Sequence, residues 1–253
     1  MKKWLKCVLS FGMLLLAFYI ALSYHFSYER SLVLGAVIFS FVGDLLLMNF
    51  LDIQRILPYP QNFVCGMISF AFAHILYILS FSLRIKDKHC TSAMAGYITG
   101  AFIFTFLIMC TINAIFTSGQ KLGENRKLFI GCLIYAGVLG CNMICLSGYS
   151  LYSCAIVLNK LWFVPCLGII CFLVSDCIIA VREFTLKKEK RTDILIWIFY
   201  VLGQTLLILS KWYTKRWIYC RFIFFVYIFL FLGILNMRWN LCLNQMRFIM
   251  KVI

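Results

Sequence analysis

Two aspartates set in long apolar runs are the residues of this sequence best suited to chemistry. Asp44 lies in residues 38–48 and Asp176 in residues 170–179, and each follows a valine and a small residue. An acid inside a membrane helix is costly unless it faces a polar interior, so such residues usually have a function. Two carboxyl groups brought together at low dielectric do not both ionise readily, so one keeps its proton. The pair therefore predicts an acid and a base in one site, with both aspartates catalytic.

Other polar residues recur at helical spacing, where positions four or seven apart share one side of a helix. One interpretation is that these side chains only hydrogen-bond neighbouring helices, which contributes about 0.6 to 2 kcal/mol each. The other is that they bind the substrate around the aspartates, with His74 as an orienting donor or a proton carrier. The candidates for substrate binding are Ser40, His74, Tyr77, Tyr135, Tyr200 and Gln204.

Metal and cofactor chemistry finds little support in the sequence. It has three histidines, His25, His74 and His89, and just one lies in an apolar run, whereas catalytic zinc usually takes three protein ligands. Glycine-rich phosphate loops and the Gly-x-Ser-x-Gly elbow are also missing. We therefore expect no metal and no cofactor.

Composition identifies the class of protein. Of 253 residues, 64% are hydrophobic and 13% are charged, far from the roughly 45–50% apolar content of soluble domains. The net charge of +15 comes from Lys and Arg placed between the apolar runs, as topology signals and lipid contacts are, so we expect the bilayer and not nucleic acid as a partner. Most of the thirteen cysteines lie in apolar runs and are expected to be reduced.

The predicted fold is an all-α, polytopic transmembrane bundle of about eight helices, since a span needs about 20 apolar residues. We take the first run, which resembles a signal peptide, as a retained helix. Residues 148–158 are too short to span and are predicted as an interfacial piece or an extension. The remaining spans are 31–50, 62–83, 92–116, 128–147, 161–181, 194–210 and 222–235. Residues 1–210 are predicted as the main domain, followed by an extension, 211–253, with the last span and a basic tail.

The loops and an internal similarity predict how the spans are arranged. The distribution of Lys and Arg favours cytoplasmic N- and C-termini, which places Asp44 and Asp176 at one depth, each about six residues, or roughly 9 Å, from the cytoplasmic end of its helix. Residues 70–80 align with residues 200–210. This similarity favours two parallel four-helix repeats.

The order and spacing of these motifs resemble the YhhN-like lysoplasmalogenase family of multi-pass membrane hydrolases. Two departures concern residues 200–204, which have one tyrosine fewer than the family's Tyr-Tyr-x-Ala-Gln, and Lys6-Cys7 in place of Lys-Pro; they affect substrate choice more than fold. The matching positions are residues 40–47, Gly66, Phe70, His74, Tyr77, Tyr135, Gly168, Phe172, Ser175, Asp176, Ala180, Phe184, Tyr200 and Gln204.

The resemblance implies hydrolysis of the vinyl ether bond of lysoplasmalogens to a fatty aldehyde and glycerophosphoethanolamine or glycerophosphocholine, with the aspartates catalytic. Three alternatives stay open: a transporter, an inactive lipid-binding relative, and a zinc-dependent amidase of the alkaline ceramidase type, which the few histidines disfavour. The membrane would be a bacterial plasma membrane or an internal one such as the endoplasmic reticulum. Basic residues could hold the phosphate head group near the interface; they are Arg55, Lys121, Arg126, Lys127 and Arg182.

Overall fold

Helices account for nearly all of the chain that the computed structural model describes, which comprises residues 3–23, 27–48, 57–85, 91–117, 126–156, 161–184 and 190–210. Each helix of these ranges is long and apolar enough to cross a membrane, so the protein is an integral, multi-pass membrane protein. The predicted all-α bundle is confirmed, while the span predicted at 222–235 and the extension 211–253 lie outside the described residues. The helices are α1 (Lys3–Ser23), α2 (Tyr28–Leu47), α3 (Gln61–Ser82), α4 (Thr91–Thr117), α5 (Arg126–Ala155), α6 (Val164–Phe184) and α7 (Lys190–Leu209).

Helix boundaries follow the local sequence closely. Helix α3 begins directly after Pro60, and α6 has Pro165 in its first turn, where the missing N–H of proline leaves no helical bond unmade. Residues 148–155 belong to α5, which is a single helix of 30 residues. This part of the predicted segment is thus an extension of its neighbour and not a separate interfacial piece, and residues 157–158 lie outside the described residues.

The two aspartates do not lie at equal distances from their helix ends. Asp44 is in the last turn of α2, whereas Asp176 lies about two turns before the end of α6. The prediction of six residues for each is therefore wrong. That distance was counted to the ends of the apolar runs, and the helices do not end at the residues where the apolar runs end.

The packing of the helices has the pattern of a repeat. Helix α2 packs along α3, α6 packs along α7, and the contacts of α1 with α2 and α7 correspond to those of α5 with α6 and α3. This is the pairing expected for two parallel repeats related by an axis along the membrane normal. The counterpart of α4 would be the span at 222–235, outside the described residues.

Small residues bring the helices of each pair into close contact. A Cβ atom on Gly203 of α7 would lie 2.9 Å from both the Gly168 carbonyl oxygen and the Phe172 backbone nitrogen of α6. A Cβ on Gly43 of α2 would meet the Phe70 ring of α3 at 2.7 Å. Such glycines let membrane helices approach closely, and here they determine how α2 and α6, which carry the aspartates, sit against α3 and α7.

Candidate active site

Both aspartates line one cavity of about 150 Å³. Asp44 is 4% exposed, and Asp176 is half-buried with its side chain at the cavity wall. Side chains from all seven described helices contribute to the lining. The fold thus brings together the two carboxyl groups that the sequence singled out, although they lie in different halves of the chain.

Asp44 is held by hydroxyl groups from two other helices. Its Oδ2 atom accepts hydrogen bonds from Ser10 Oγ of α1 at 2.6 Å and from Tyr200 Oη of α7 at 2.7 Å. Ser10 is 1% exposed and Tyr200 is 5% exposed. Because the two donors converge on one oxygen, they fix the orientation of the carboxyl group at the cavity wall.

Asp176 ends a chain of polar contacts that begins on α5. Tyr135 Oη donates to Asp176 Oδ2 at 2.7 Å and lies 3.4 Å from His74 Nε2. The Asn142 amide nitrogen is 2.7 Å from His74 Nδ1. An amide N–H donates, so in this arrangement His74 Nδ1 accepts from Asn142. The chain therefore runs from Asn142 through His74 and Tyr135 to the carboxyl group.

A second buried network lies behind the cavity. Tyr77 Oη donates to Gln204 Oε1 at 2.6 Å, and Gln204 Nε2 donates to Ser40 Oγ at 2.8 Å. Each of these side chains, like His74, is at most 1% exposed, and none of the four lines the cavity. Of the predicted substrate-binding residues, Tyr135 and Tyr200 reach the cavity. For the other four, contact with substrate stays a prediction, and their positions suit a positioning role.

Aromatic rings enclose Tyr200 beside the carboxyl groups. Its ring centroid is 6.0 Å from that of Phe70, 5.4 Å from Phe172 and 5.3 Å from Trp197. Phe70 is the residue aligned with Tyr200 in the internal repeat, so the equivalent positions meet at the site. Apolar rings lower the local dielectric, so charges beside them interact more strongly than in water.

Charged residues lie at one end of the same cavity. Asp193 Oδ1, in the first turn of α7, is 3.0 Å from Lys6 Nζ of α1 and 3.1 Å from Arg182 Nη1 in the last turn of α6. All three residues line the cavity. Lys6 Nζ is also 5.3 Å from the centroid of the Trp197 ring. We call Lys6, Arg182 and Asp193 the charged cluster.

Most of the remaining lining residues are apolar, and we call these the apolar wall. This wall comes mainly from α3, α4, α5 and α6, and its members have no side-chain charge. The cavity is therefore lined by the charged cluster, the two aspartates and an apolar wall. The apolar lining residues include Phe63, Met67, Ile108, Ala136, Leu139, Leu173 and Ile179.

Sequence reasoning did not select Ser10, Lys6 or Asp193 as site residues. Ser10 is a polar residue inside the first apolar run and follows Lys6 by four positions, one helical turn. That spacing is the signal that could have placed both on one face of α1. Asp193 carried no comparable signal, because it stands next to a basic loop segment where an acid is ordinary.

Metal ligation has no support within the described residues. No group of three or more His, Cys, Asp or Glu side chains there is arranged to hold an ion. The arrangement of the site points instead to proton transfer and hydrogen bonding, for which carboxyl, phenol and amide groups are all present.

Comparison with known proteins gives one match. The YhhN family is matched by residues 4–211. The chain belongs to the YhhN family. No curated protein and no solved structure gives a significant match. The YhhN region covers almost all seven described helices and every residue of the site, so the family resemblance drawn from the motifs is confirmed.

Proposed function

We propose that this YhhN protein hydrolyses the vinyl ether bond of lysoplasmalogens, releasing a fatty aldehyde and glycerophosphoethanolamine or glycerophosphocholine. The observation that carries the proposal is that Asp44 and Asp176 line one cavity. Membership of the YhhN family supports it.

The cavity suits an amphiphile that has its reactive bond near one end. A lysoplasmalogen has an anionic head, a short glycerol unit, a vinyl ether and a long apolar chain. The charged cluster, the two aspartates and the apolar wall all line the same cavity. A lipid with its head group at the charged cluster would have its vinyl ether beside the carboxyl groups.

The reaction needs one acid and one base, and the aspartates supply both. The protonated carboxyl group donates its proton to the outer alkene carbon, which gives an oxocarbenium ion. The carboxylate stabilises this cation and takes a proton from the attacking water, forming a hemiacetal. Collapse of the hemiacetal moves its hydroxyl proton to the departing glycerol oxygen and releases the aldehyde. Exchange of one proton between the carboxyl groups restores the site.

The surrounding donors position the two carboxyl groups for this chemistry. Tyr200 and Ser10 hold Asp44, and Tyr135 holds Asp176. Such hydrogen bonds matter because reacting groups must be placed within a fraction of an ångström, and a misplacement of about 1 Å can cost about a hundredfold in rate.

The test uses purified protein and 1-alkenyl lysophosphatidylethanolamine, with released aldehyde measured by a coupled reduction. We expect Asp44→Asn and Asp176→Asn each to lose at least about a hundredfold in turnover, because each removes an acid–base group. Glu29→Gln is the matched control, since Glu29 is a carboxylate in the first turn of α2 that contacts Arg84 and does not line the cavity.

Three other outcomes would point elsewhere. Undiminished turnover in both aspartate variants would remove the two-carboxylate mechanism. Loss of turnover only after treatment with a chelator would favour a metal enzyme. Lipid binding without aldehyde release by the wild type would identify an inactive lipid-binding relative.

A further inference from the structure

We propose that Lys6 and Arg182 form a phosphate site that binds the head group of the substrate, and that Asp193 occupies this site when no lipid is bound. The proposal rests on the proposed function for its substrate, but the site itself is argued from the charged cluster. It names the residues that distinguish a phosphorylated lipid from a phosphate-free one.

The geometry of the cluster fits one phosphate group. Lys6 Nζ and Arg182 Nη1 both lie about 3 Å from the same atom, Asp193 Oδ1. A phosphodiester has two unesterified oxygens on one phosphorus, so it can accept from both cations in the place of the carboxylate. Charge-assisted bonds from Lys and Arg to phosphate are the strong type, and Arg adds directional donors.

The depth of the cluster fits the distance to the reactive bond. Lys6 lies one turn before Ser10 on α1, and Ser10 contacts Asp44. One turn is roughly 5.4 Å along the helix, close to the length of the glycerol unit between phosphate and vinyl ether. The phosphate of one lipid can therefore contact Lys6 while its vinyl ether lies beside the aspartates.

The released carboxylate would face the amine of the same head group. Asp193 lies beside Lys6, whose ammonium group is 5.3 Å from the Trp197 ring centroid. A carboxylate binds an ammonium ion by a charge-assisted hydrogen bond. The cluster is thus complementary to a zwitterion, with cations for the phosphate and an anion for the amine.

Charge balance limits the expected gain in affinity. The lipid phosphate would replace the Asp193 carboxylate as the anionic partner of Lys6 and Arg182, and Arg182 also contacts Glu183 Oε1 at 3.3 Å. Neither cation is therefore without an anionic partner before the lipid binds. We therefore expect each cation to contribute about tenfold to the preference for a phosphorylated ligand, the low end of what hydrogen bonds to charged groups give.

The test measures binding without turnover. Dissociation constants are determined for two ligands with a saturated ether in place of the vinyl ether, 1-O-alkyl lysophosphatidylethanolamine and 1-O-alkylglycerol. The preference is the ratio of the two constants. We expect Lys6→Gln and Arg182→Gln each to lower this ratio about tenfold. Arg84→Gln, which breaks the ion pair with Glu29 away from the cavity, should leave it unchanged.

Two further arms make the result decisive. Lys6→Arg and Arg182→Lys keep the charge and should keep the preference, which guards against misfolding of the neutral variants. Asp193→Asn removes the competing carboxylate and should tighten the binding of glycerophosphate several-fold. Competition by inorganic phosphate as strong as that by the phospholipid would support the phosphate site but identify free phosphate as its ligand.

An unchanged preference in both neutral variants would overturn the proposal. The cluster would then serve only as ion pairs that hold α1, α6 and α7 together. The two proposals fail separately. Selective phospholipid binding by a wild type that releases no aldehyde would refute the hydrolase and support the phosphate site. Full turnover by the wild type, with an unchanged ligand preference in the neutral variants, would support the hydrolase and refute the phosphate site.

Discussion

Replacing Gly203 with alanine tests whether the packing of α6 against α7 maintains the site. The added methyl group would lie 2.9 Å from the Gly168 carbonyl oxygen and from the Phe172 backbone nitrogen. Both are backbone atoms, so a side-chain rotation cannot relieve the clash. Ordinary contacts begin at 3.4 Å, and the two helices must therefore separate by about 0.5 Å or more.

Two opposing contributions determine how much Gly203→Ala changes the free energy of unfolding. Alanine is favoured over glycine within a helix by roughly 0.5–1 kcal/mol, whereas overpacking a close contact costs about 1–3 kcal/mol. The expected net effect is a loss of about 1–2 kcal/mol in stability. Because Tyr200 and Gln204 flank Gly203, the shift would also stretch their bonds of 2.7 Å to Asp44 and 2.8 Å to Ser40. We expect turnover to fall roughly tenfold.

Thermal unfolding in detergent and aldehyde release by the folded protein measure the two effects. Gly137→Ala is the matched control, because Gly137 is an exposed residue within α5 and a Cβ there meets nothing within 4 Å. It should gain or keep stability and keep full turnover. Equal unfolding temperatures and equal turnover for the two variants would refute the inference that this contact positions the site.

Two other predictions concern the polar networks. Tyr200→Phe and Ser10→Ala each remove one donor from Asp44 and should each lower turnover about tenfold while binding of the saturated ether analogue persists; unchanged turnover in both would contradict a positioning role. Asn142→Ala removes the donor to His74 Nδ1 and should lower the unfolding free energy by about 1–3 kcal/mol, as measured by thermal unfolding, whereas wild-type stability would show that this contact contributes nothing.

The sequence was informative about helices and about the carboxyl pair. Long apolar runs predict spans because the bilayer leaves few other structures for the backbone, and the described helices lie close to the predicted bounds except that α5 continues to Ala155. Asp44 and Asp176 were identified because an acid in an apolar run has few roles other than a functional one. The local composition of each apolar run sufficed for both inferences.

The contacts between helices were beyond the reach of such reasoning. Which tyrosine meets which aspartate depends on the rotation of each helix about its axis, and that is determined by close contacts such as Gly203 against Gly168. A periodic pattern shows that residues share a face but not whether the face borders a cavity. His74 and Tyr77 share a face of α3, yet neither lines the cavity.

Asp44 takes its two hydroxyl partners from α1 and α7, the first and last of the described helices. A ribosome releases α1 long before α7. During synthesis the Asp44 carboxyl group is therefore in the translocon or the bilayer without its Tyr200 partner. Every nascent chain that lacks the seventh helix is consequently without a finished site. Asp44 therefore gains its second hydroxyl partner only after α7 has been inserted.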